Sequence, residues 1–283
     1  MSSTRVGSAS SRGPTPRRPS AWGATRPPYP PRGSLRLIER HSRVYRHVWL
    51  VFASGVAEPL FYLLSVGVGL GALIGTVVGP GGHVVPYKDF VAPGLLAVSA
   101  LNGAMFDATF NVFFRLKYAK LYDSVLATPV GPAEVALGEV GWALLRGAVY
   151  AVAFTLVMTF MGLIRSPWGV FAVPVAVLIS FAVAAVGVAC TTYMKSWQDF
   201  DYVLLVTLPM FLFSGTFYPL SVYPRVIAGI VQWTPLYQGV ALLQDLVLGA
   251  PSPSLAWRAA YLAAMGTAGL IIASRRIAKL LLV

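Results

Sequence analysis

The side chains in this sequence that are most able to take part in chemistry are ionisable groups inside long apolar runs. Glu58 lies in the first run, Asp107 in the second, and Glu139 and Arg146 in the third. A charge at the centre of a bilayer costs at least about 2.5 kcal/mol, so these groups should pair or face a polar path. Arg146 lies on nearly the same helix face as Glu139 and is predicted to pair with Glu139 or Asp107. A purely structural ion pair and a role in transport both remain open.

The residue patterns of common enzymes are missing from the sequence. It contains no Gly-Lys dipeptide, and therefore no Walker A loop for ATP. Its three histidines, His41, His47 and His83, are scattered, without an H-E-x-x-H or paired acidic motif. The single cysteine, Cys190, lies in an apolar run and is predicted to be a small core residue. We therefore expect no catalytic residues, no metal site and no cofactor bound by this chain.

The composition indicates the elements that position these groups. Of 283 residues, 57% are hydrophobic and 11% are charged, whereas soluble domains carry about 25% charged residues. Six apolar runs are long enough to cross a bilayer at about 20 residues each. They are predicted at 50–77, 89–113, 137–163, 169–192, 200–219 and 257–275. The fold class is thus predicted as an all-α integral membrane protein with six transmembrane helices.

The net charge of +12 is concentrated near the N-terminus. Ten of the 22 basic residues lie between Arg5 and Arg46, against one acidic residue, Glu39. Residues 1–33 are predicted to form a disordered basic cytoplasmic tail that touches anionic lipid, in preference to a nucleic-acid-binding arm. Residues 34–49 mix apolar residues with arginines, which predicts an amphipathic helix in the membrane interface. The membrane domain would then occupy 50–283.

The distribution of basic residues predicts the orientation. With the tail inside, seventeen of the 22 basic residues lie on the inner side, so both termini are predicted to be cytoplasmic. The outer connection at about 220–250 is apolar, but Pro224 and Pro235 divide it into pieces too short to span. It is predicted to form re-entrant extracellular helices. A seventh span is disfavoured because it would place Arg275 and Arg276 outside.

A polar segment separates the second and third runs on the cytoplasmic side. Residues 116–130 combine a broad apolar helical face with lysine and aspartate in other directions. A turn from Thr128 to Pro132 would return the chain to the membrane. The pattern alone leaves open whether this helix is pushed by a cytoplasmic partner or rests on lipid.

Three stretches of this sequence resemble a known family. They are "DFVAPGLLAVSALNGAMFDATFNVFFRLKYAKLYDSVLATPVGPAEVALGEVGWALLRG", "EPLFYLLSVGVGLG" and "FLFSGTFYPLSVYP". They look like the permease subunits of type-2 ATP-binding-cassette (ABC) exporters, in the branch of nodulation-factor and lipo-oligosaccharide export permeases. The likeness covers nearly all of residues 35–275 and appears in the right order.

The resemblance implies how such a chain works with a partner. The segment at 116–130 would be a coupling helix seated in a groove of a cytoplasmic ABC ATPase. Two copies of this chain, as a homodimer, would join two ATPase copies, which would hold ATP and Mg²⁺, in the plasma (inner) membrane of a bacterium. The coupling residues would be Leu116, Lys120, Leu121, Tyr122, Asp123, Val125 and Leu126.

The resemblance also implies a translocation path between the second and fifth spans of the dimer. Helical spacing predicts one stripe of path residues on each span. They are Asn102, Phe106, Phe110 and Phe113 on the second span, and Met210, Phe213, Ser214 and Phe217 on the fifth. An aromatic slot with few polar groups suits an amphipathic lipo-oligosaccharide or glycolipid. Efflux of a drug or antibiotic is the alternative within the family. An ion-coupled secondary transporter is a less favoured alternative, since such transporters usually have an internal repeat and none is visible here. Gln238 and Gln244 stand where the branch often has His and Arg, which leaves the substrate open.

Overall fold

The structure is a computed structural model that describes residues 32–45, 57–119, 122 and 130–281. Helices dominate this part of the chain. In chain order they are α1 (Arg32–Tyr45), α2 (Ala57–Ile74), α3 (Tyr87–Lys117), α4 (Pro132–Phe160), α5 (Ala172–Thr191), α6 (Asp199–Leu212), α7 (Arg225–Gln232), α8 (Pro235–Val247) and α9 (Leu255–Leu281). The predicted tail lies outside the described residues, except for its last two residues, which begin α1.

The described helices include five that are long and apolar enough to cross a membrane: α2, α3, α4, α5 with the 3-10 turn before it, and α9. The helices α7 and α8 pass the same test only together, with a bend of 86° between them. This shows a mainly helical, multi-span membrane protein with five or six candidate spans. The count of six and the re-entrant role of α7 and α8 stay predictions, although short, sharply bent helices are what that role requires.

The predicted fifth span, 200–219, is helical only as far as Leu212. Helix α6 has 14 residues, about 21 Å at 1.5 Å per residue, whereas the hydrocarbon core is about 30 Å thick. The Ser214 hydroxyl donates to the Phe211 carbonyl at 2.7 Å and lies 2.7 Å from the Thr216 hydroxyl. Gly215 follows with a φ of +76°, a left-handed conformation that favours glycine. Because local hydroxyl bonds compete with helical ones, the chain leaves the helix here.

Helix α3 forms the centre of the protomer, with nearly all side chains of its first 20 residues buried. Helix α3 packs closely on α4, and α4 packs closely on α5. Both contacts are made at glycines, which have no side chain. A Cβ atom at Gly103 of α3 would lie 2.6 Å from the ring of Tyr150, and one at Gly147 of α4 would collide with Ser180 of α5. Small residues that admit a neighbouring helix are typical of membrane interfaces, where close van der Waals packing drives association.

Helix α1 lies against the start of α4, as expected for one face of an amphipathic helix. Leu37 is buried and packs on the bare backbone of Gly138, and Ile38 packs on Gly141. Leu35, on another side of the helix, is 61% exposed. The structure thus places α1 as a helix attached to the third predicted span; its position in the membrane interface remains a prediction.

A short β-hairpin joins α2 to α3, where the sequence analysis predicted no strand. Strand β1 (Thr76–Val78) pairs antiparallel with β2 (Val84–Pro86), with Val77 opposite Val85. The connecting turn contains Gly81 and Gly82, both with positive φ. Two Val-Val pairs around a glycine-rich turn are a recognisable hairpin signal. It was missed because the surrounding apolar runs read as continuous helices.

Candidate functional site

A buried carboxylate, Glu139, joins three separate parts of the chain at the start of α4. It forms an ion pair with Arg115 at the end of α3. Its other oxygen, Oε1, lies 3.8 Å from Nε2 of His41 on α1. The Glu139 side chain is only 1% exposed, and a buried charge is tolerated only when it is paired. We call His41, Arg115, Tyr122 and Glu139 the Glu139 cluster.

Tyr122 belongs to this cluster through its burial and its electrostatics. It packs with Leu37 and Val135 in a small apolar core and is 1% exposed. Burial, together with the nearby Glu139 carboxylate, raises the pKa of the Tyr122 phenol well above its usual value. The phenol therefore stays neutral, and Tyr122 anchors its segment to α1 and α4.

His41 is buried as a neutral imidazole. Burial first, and then the positive guanidinium groups of Arg115 and Arg40, lower the pKa of His41 to about 3. The folded state therefore binds a proton less readily than the unfolded chain, where a histidine has a pKa of about 6.5. The stabilisation from the neutral ring is complete above about pH 6.5 and is lost as the pH falls below that value.

We expect acid to loosen α1 through His41. Between about pH 6.5 and pH 5, α1 should lose up to about 2 kcal/mol of local stability, since one pKa unit corresponds to 1.36 kcal/mol. Hydrogen exchange of the amides of residues 32–45 at the two pH values measures this loss. The change His41→Gln should remove the pH dependence, whereas His83→Gln should leave it intact. An equal response to pH in wild type and His41→Gln would contradict the assignment.

A second buried network is centred on Arg146, one of the four predicted intramembrane charges. Arg146 Nη1 donates to Asp107 Oδ2 at 3.0 Å, and its Nε and Nη2 donate to the Tyr150 hydroxyl at 3.1 and 3.0 Å. Asn111 donates to the other oxygen of Asp107. Two partners were predicted for Arg146, and it pairs with Asp107. The other candidate, Glu139, is paired with Arg115. We call Asp107, Asn111, Arg146 and Tyr150 the Arg146 network.

Asp107 and Asn111 lie on a π-helical turn of α3, Asp107–Asn111. Such turns insert an extra residue per turn and are frequent at functional sites. The turn places both side chains toward Arg146, and the Arg146 guanidinium lies 5.2 Å from the centroid of the Phe106 ring. Sequence reasoning missed Asn111 and Tyr150, although Tyr150 follows Arg146 by four residues, the spacing of one helix face.

The π-helical turn also changes the first predicted path stripe. Phe106 and Phe110 are exposed and stack with their centroids 5.2 Å apart. Asn102 is partly buried. Phe113, however, is buried and packs edge-on against Trp197 and Phe200. The four residues were predicted to share one face at regular helical spacing; the extra residue in the turn displaces Phe113 from it.

The second predicted stripe is divided by the end of α6. Met210 is partly buried, Phe213 is exposed, and Ser214 and Phe217 are buried within the protomer. Phe217 packs edge-on against Phe211 rather than facing outward. The prediction of one continuous stripe was wrong, because it assumed a helix through residue 219. Met210 and Phe213 stay candidates for the path.

The predicted coupling segment is described only in part. Leu116 is partly buried beside the small core around Leu37, and Tyr122 is buried. Tyr122 is therefore an internal anchor rather than a surface residue. The other predicted coupling residues lie outside the described residues: Lys120, Leu121, Asp123, Val125 and Leu126.

Glu58, the remaining predicted intramembrane charge, is exposed near the start of described α2. No ion pair involves it within the described ranges. Within those ranges there is likewise no group of three or more His, Cys, Asp or Glu side chains placed to hold a metal ion. Glu58 is thus set apart from the two buried networks.

The segment that contains α7 and α8 is fixed to the core by polar bonds. Gln244 Nε2 donates at 3.2 Å to the carbonyls of Phe90 and Gly215, joining α8 to α3 and to the segment after α6. Gln238 donates to the Gln232 carbonyl, closing the bend between α7 and α8. Asp245 pairs with Arg258 of α9 at 3.3 Å. The two glutamines that depart from the branch pattern therefore have structural partners in this chain.

The apolar spans, with two buried charge networks at helix contacts, define an integral membrane protein. The family model described as "ABC-2 type transporter" matches residues 35–248, and the chain belongs to this family. This confirms the resemblance drawn from the sequence. Permeases of this family normally pair with an ABC ATPase subunit.

Similar proteins include several named nodulation protein J. That of Rhizobium leguminosarum bv. trifolii is 30% identical over 226 residues, which cover 78% of this chain and 84% of that protein. The nodulation protein J of Sinorhizobium fredii is 31% identical, and the match covers 71% of this chain and 75% of that protein. The inner membrane transport permease YadH of Escherichia coli is 24% identical, with coverage of 74% and 75%. The chain is thus similar to the nodulation protein J branch.

Proposed function

We propose that this chain is the permease subunit of an ATP-driven exporter in the bacterial inner membrane, with both termini in the cytoplasm. It moves an amphipathic lipo-oligosaccharide or glycolipid outward by alternating access. Two permease copies form the path, and two ATPase copies supply the energy with ATP and Mg²⁺. Membership of the ABC-2 family supports the transport class, and the similarity to nodulation protein J supports the substrate class.

The observation that carries the proposal is the Glu139 cluster. A force applied to the segment after α3 would reach Arg115 and Tyr122 first. Arg115 is paired with Glu139 at the base of α4, and Tyr122 packs against Val135 of the same helix. A buried ion pair at that position resists sliding, since separation would leave a charge without its partner. The cluster therefore suits the transfer of an ATPase movement to the spans.

The proposed path lies along the exposed aromatic face of α3 and the exposed face of α6. Phe106, Phe110 and Phe213 present rings outward from the protomer, where a second copy would complete the slot. Aromatic surface with few polar groups accommodates the apolar part of a substrate. The Arg146 network lies directly behind Phe106 and is proposed to hold this wall in place.

The test is co-purification from native membranes in mild detergent, followed by an ATPase assay. We expect a stoichiometric ATPase subunit, with hydrolysis stimulated by lipo-oligosaccharide. Leu121→Glu and Leu126→Glu should remove the subunit, since a charge in an apolar groove is left unpaired. Ser221→Glu, which adds the same charge in the outer connection, should not.

Two other outcomes would redirect the proposal. Stimulation by apolar drugs and not by lipo-oligosaccharides would assign drug efflux to the same permease. A preparation without ATPase, with export that persists after ATP depletion, would contradict the ATP-driven mechanism and favour an ion-coupled transporter.

A further inference from the structure

A large apolar cavity, open on one side, lies at the surface of the protomer between α3, α5, α6 and α9. Its volume is about 690 Å³, within the range of ligand sites. Its walls include Met105, Val183, Val206 and Met265. Phe106 and Phe110 do not line it, so it is distinct from the aromatic face of α3. Of the predicted path residues, Met210 is shared with this cavity.

The height of the cavity matches one leaflet of a bilayer. Its lining on α6 extends from Asp199 to Met210, a rise of about 16 Å at 1.5 Å per residue. Half of a hydrocarbon core about 30 Å thick is about 15 Å. Pro235, at the bend between α7 and α8, also lines the cavity. A single acyl chain entering from one membrane surface would fit this height.

The end of the cavity near Asp199 carries basic groups. Lys195 lines the rim, and Arg276 of α9 lies over the ring of Tyr193, another rim residue, with its Cζ 4.0 Å from the centroid. Among the described residues, nothing accepts a hydrogen bond from the buried Nε of Arg276. The Asp199 carboxylate is already engaged, since it accepts the backbone N–H groups of Lys195 and Ser196 at 2.6 and 3.2 Å. The positive charges of Arg276 and Lys195 at the end of an apolar chamber are complementary to an anionic headgroup.

We propose that an anionic phospholipid of the inner leaflet binds in this cavity. Its acyl chain fills the space behind α6, and its phosphate accepts hydrogen bonds from Arg276 and Lys195. The lipid would support α6 from the inside, where the protomer supplies little packing: none of the residues of α6 is buried. This inference rests on the proposed orientation, with Lys195 on the cytoplasmic side, but not on the partner ATPase.

Cys190 provides a reporter without engineering. It is the single cysteine of the chain and lines the cavity. It is accessible, so the prediction of a core residue was wrong. A bound acyl chain should protect its thiol from a maleimide. The experiment compares labelling rates of the purified permease in phosphatidylcholine nanodiscs with increasing proportions of phosphatidylglycerol.

We expect phosphatidylglycerol to slow labelling in a saturable manner. Arg276→Gln should raise the half-protecting proportion about fivefold, the effect of one basic residue near an anionic surface. Arg275→Gln, the same change at the exposed neighbour, should not. Val206→Trp should fill the cavity and remove the lipid effect, whereas Leu205→Trp, on the same helix outside the lining, should preserve it.

Three results would overturn the proposal. Labelling that is independent of phosphatidylglycerol would exclude an anionic occupant. Equal behaviour of the two arginine variants would exclude the headgroup site. Protection by an added lipo-oligosaccharide and not by phosphatidylglycerol would assign the cavity to the substrate. Since no ATPase is present in this experiment, failure here leaves the export proposal unaffected, and failure of the co-purification leaves this site unaffected.

Discussion

Arg146→Gln is expected to destabilise the permease by about 3–5 kcal/mol, the usual cost of leaving one member of a buried ion pair without its partner. Asp107 is 1% exposed at its side chain, so water cannot replace the lost guanidinium. The Tyr150 hydroxyl also loses both of its donors from Arg146. The result should be a large fall in thermal stability in detergent, together with loss of the exported product.

Two further variants separate charge from packing in the Arg146 network. Asp107→Asn combined with Arg146→Gln should recover part of the loss, because no charge is then left unpaired. Arg225→Gln, at an exposed arginine of α7, should leave stability within about 0.5 kcal/mol of wild type. Wild-type stability together with wild-type export in Arg146→Gln would refute both the structural and the transport role of the network.

Glu139→Gln is expected to separate ATP hydrolysis from export. Arg115 would lose its carboxylate partner. Loss of a hydrogen bond to a charged group costs about 1.5–3 kcal/mol, enough to loosen the contact between α1, α3 and α4. The measurement is the number of ATP molecules hydrolysed per molecule exported in reconstituted vesicles, which should rise several-fold.

A matched carboxylate on the same helix provides the control. Glu134 accepts the backbone N–H of Gly131 at 3.0 Å and closes the first turn of α4. Glu134→Gln should preserve much of this cap and leave coupling unchanged. A double-mutant cycle with Arg115→Gln should give a coupling energy within about 0.5–3 kcal/mol. A coupling energy of zero between Glu139 and Arg115 would show that the pair does not transmit movement.

Much of the helical, multi-span architecture could be predicted from the sequence because the length of an apolar run is a local property. The Arg146 pair was predicted for a related reason: few charges occur in lipid, so the number of possible partners is small. The sequence could not show whether Arg146 pairs with Asp107 or with Glu139, because this depends on which carboxylate pairs with Arg115.

The errors arose where the backbone departs from a regular helix. The π-helical turn at Asp107–Asn111 and the end of α6 at Leu212 both change the side-chain direction of every later residue. Periodicity assumes a constant rise and rotation, so Phe113 and Phe217 were assigned to faces that they do not occupy. Tyr122 was predicted on the partner surface for another reason: only tertiary packing against Leu37 and Val135 shows that it points inward.

The contrast between α6 and the core has an evolutionary consequence. Helices α3, α4 and α5 meet at Gly103 and Gly147, where even a methyl group collides with a neighbour, so most substitutions there would be eliminated by selection for folding. None of the residues of α6 is buried in the protomer, and replacements there cost little stability. A permease of this design could therefore acquire new substrates through drift in one helix while the remaining scaffold stays fixed.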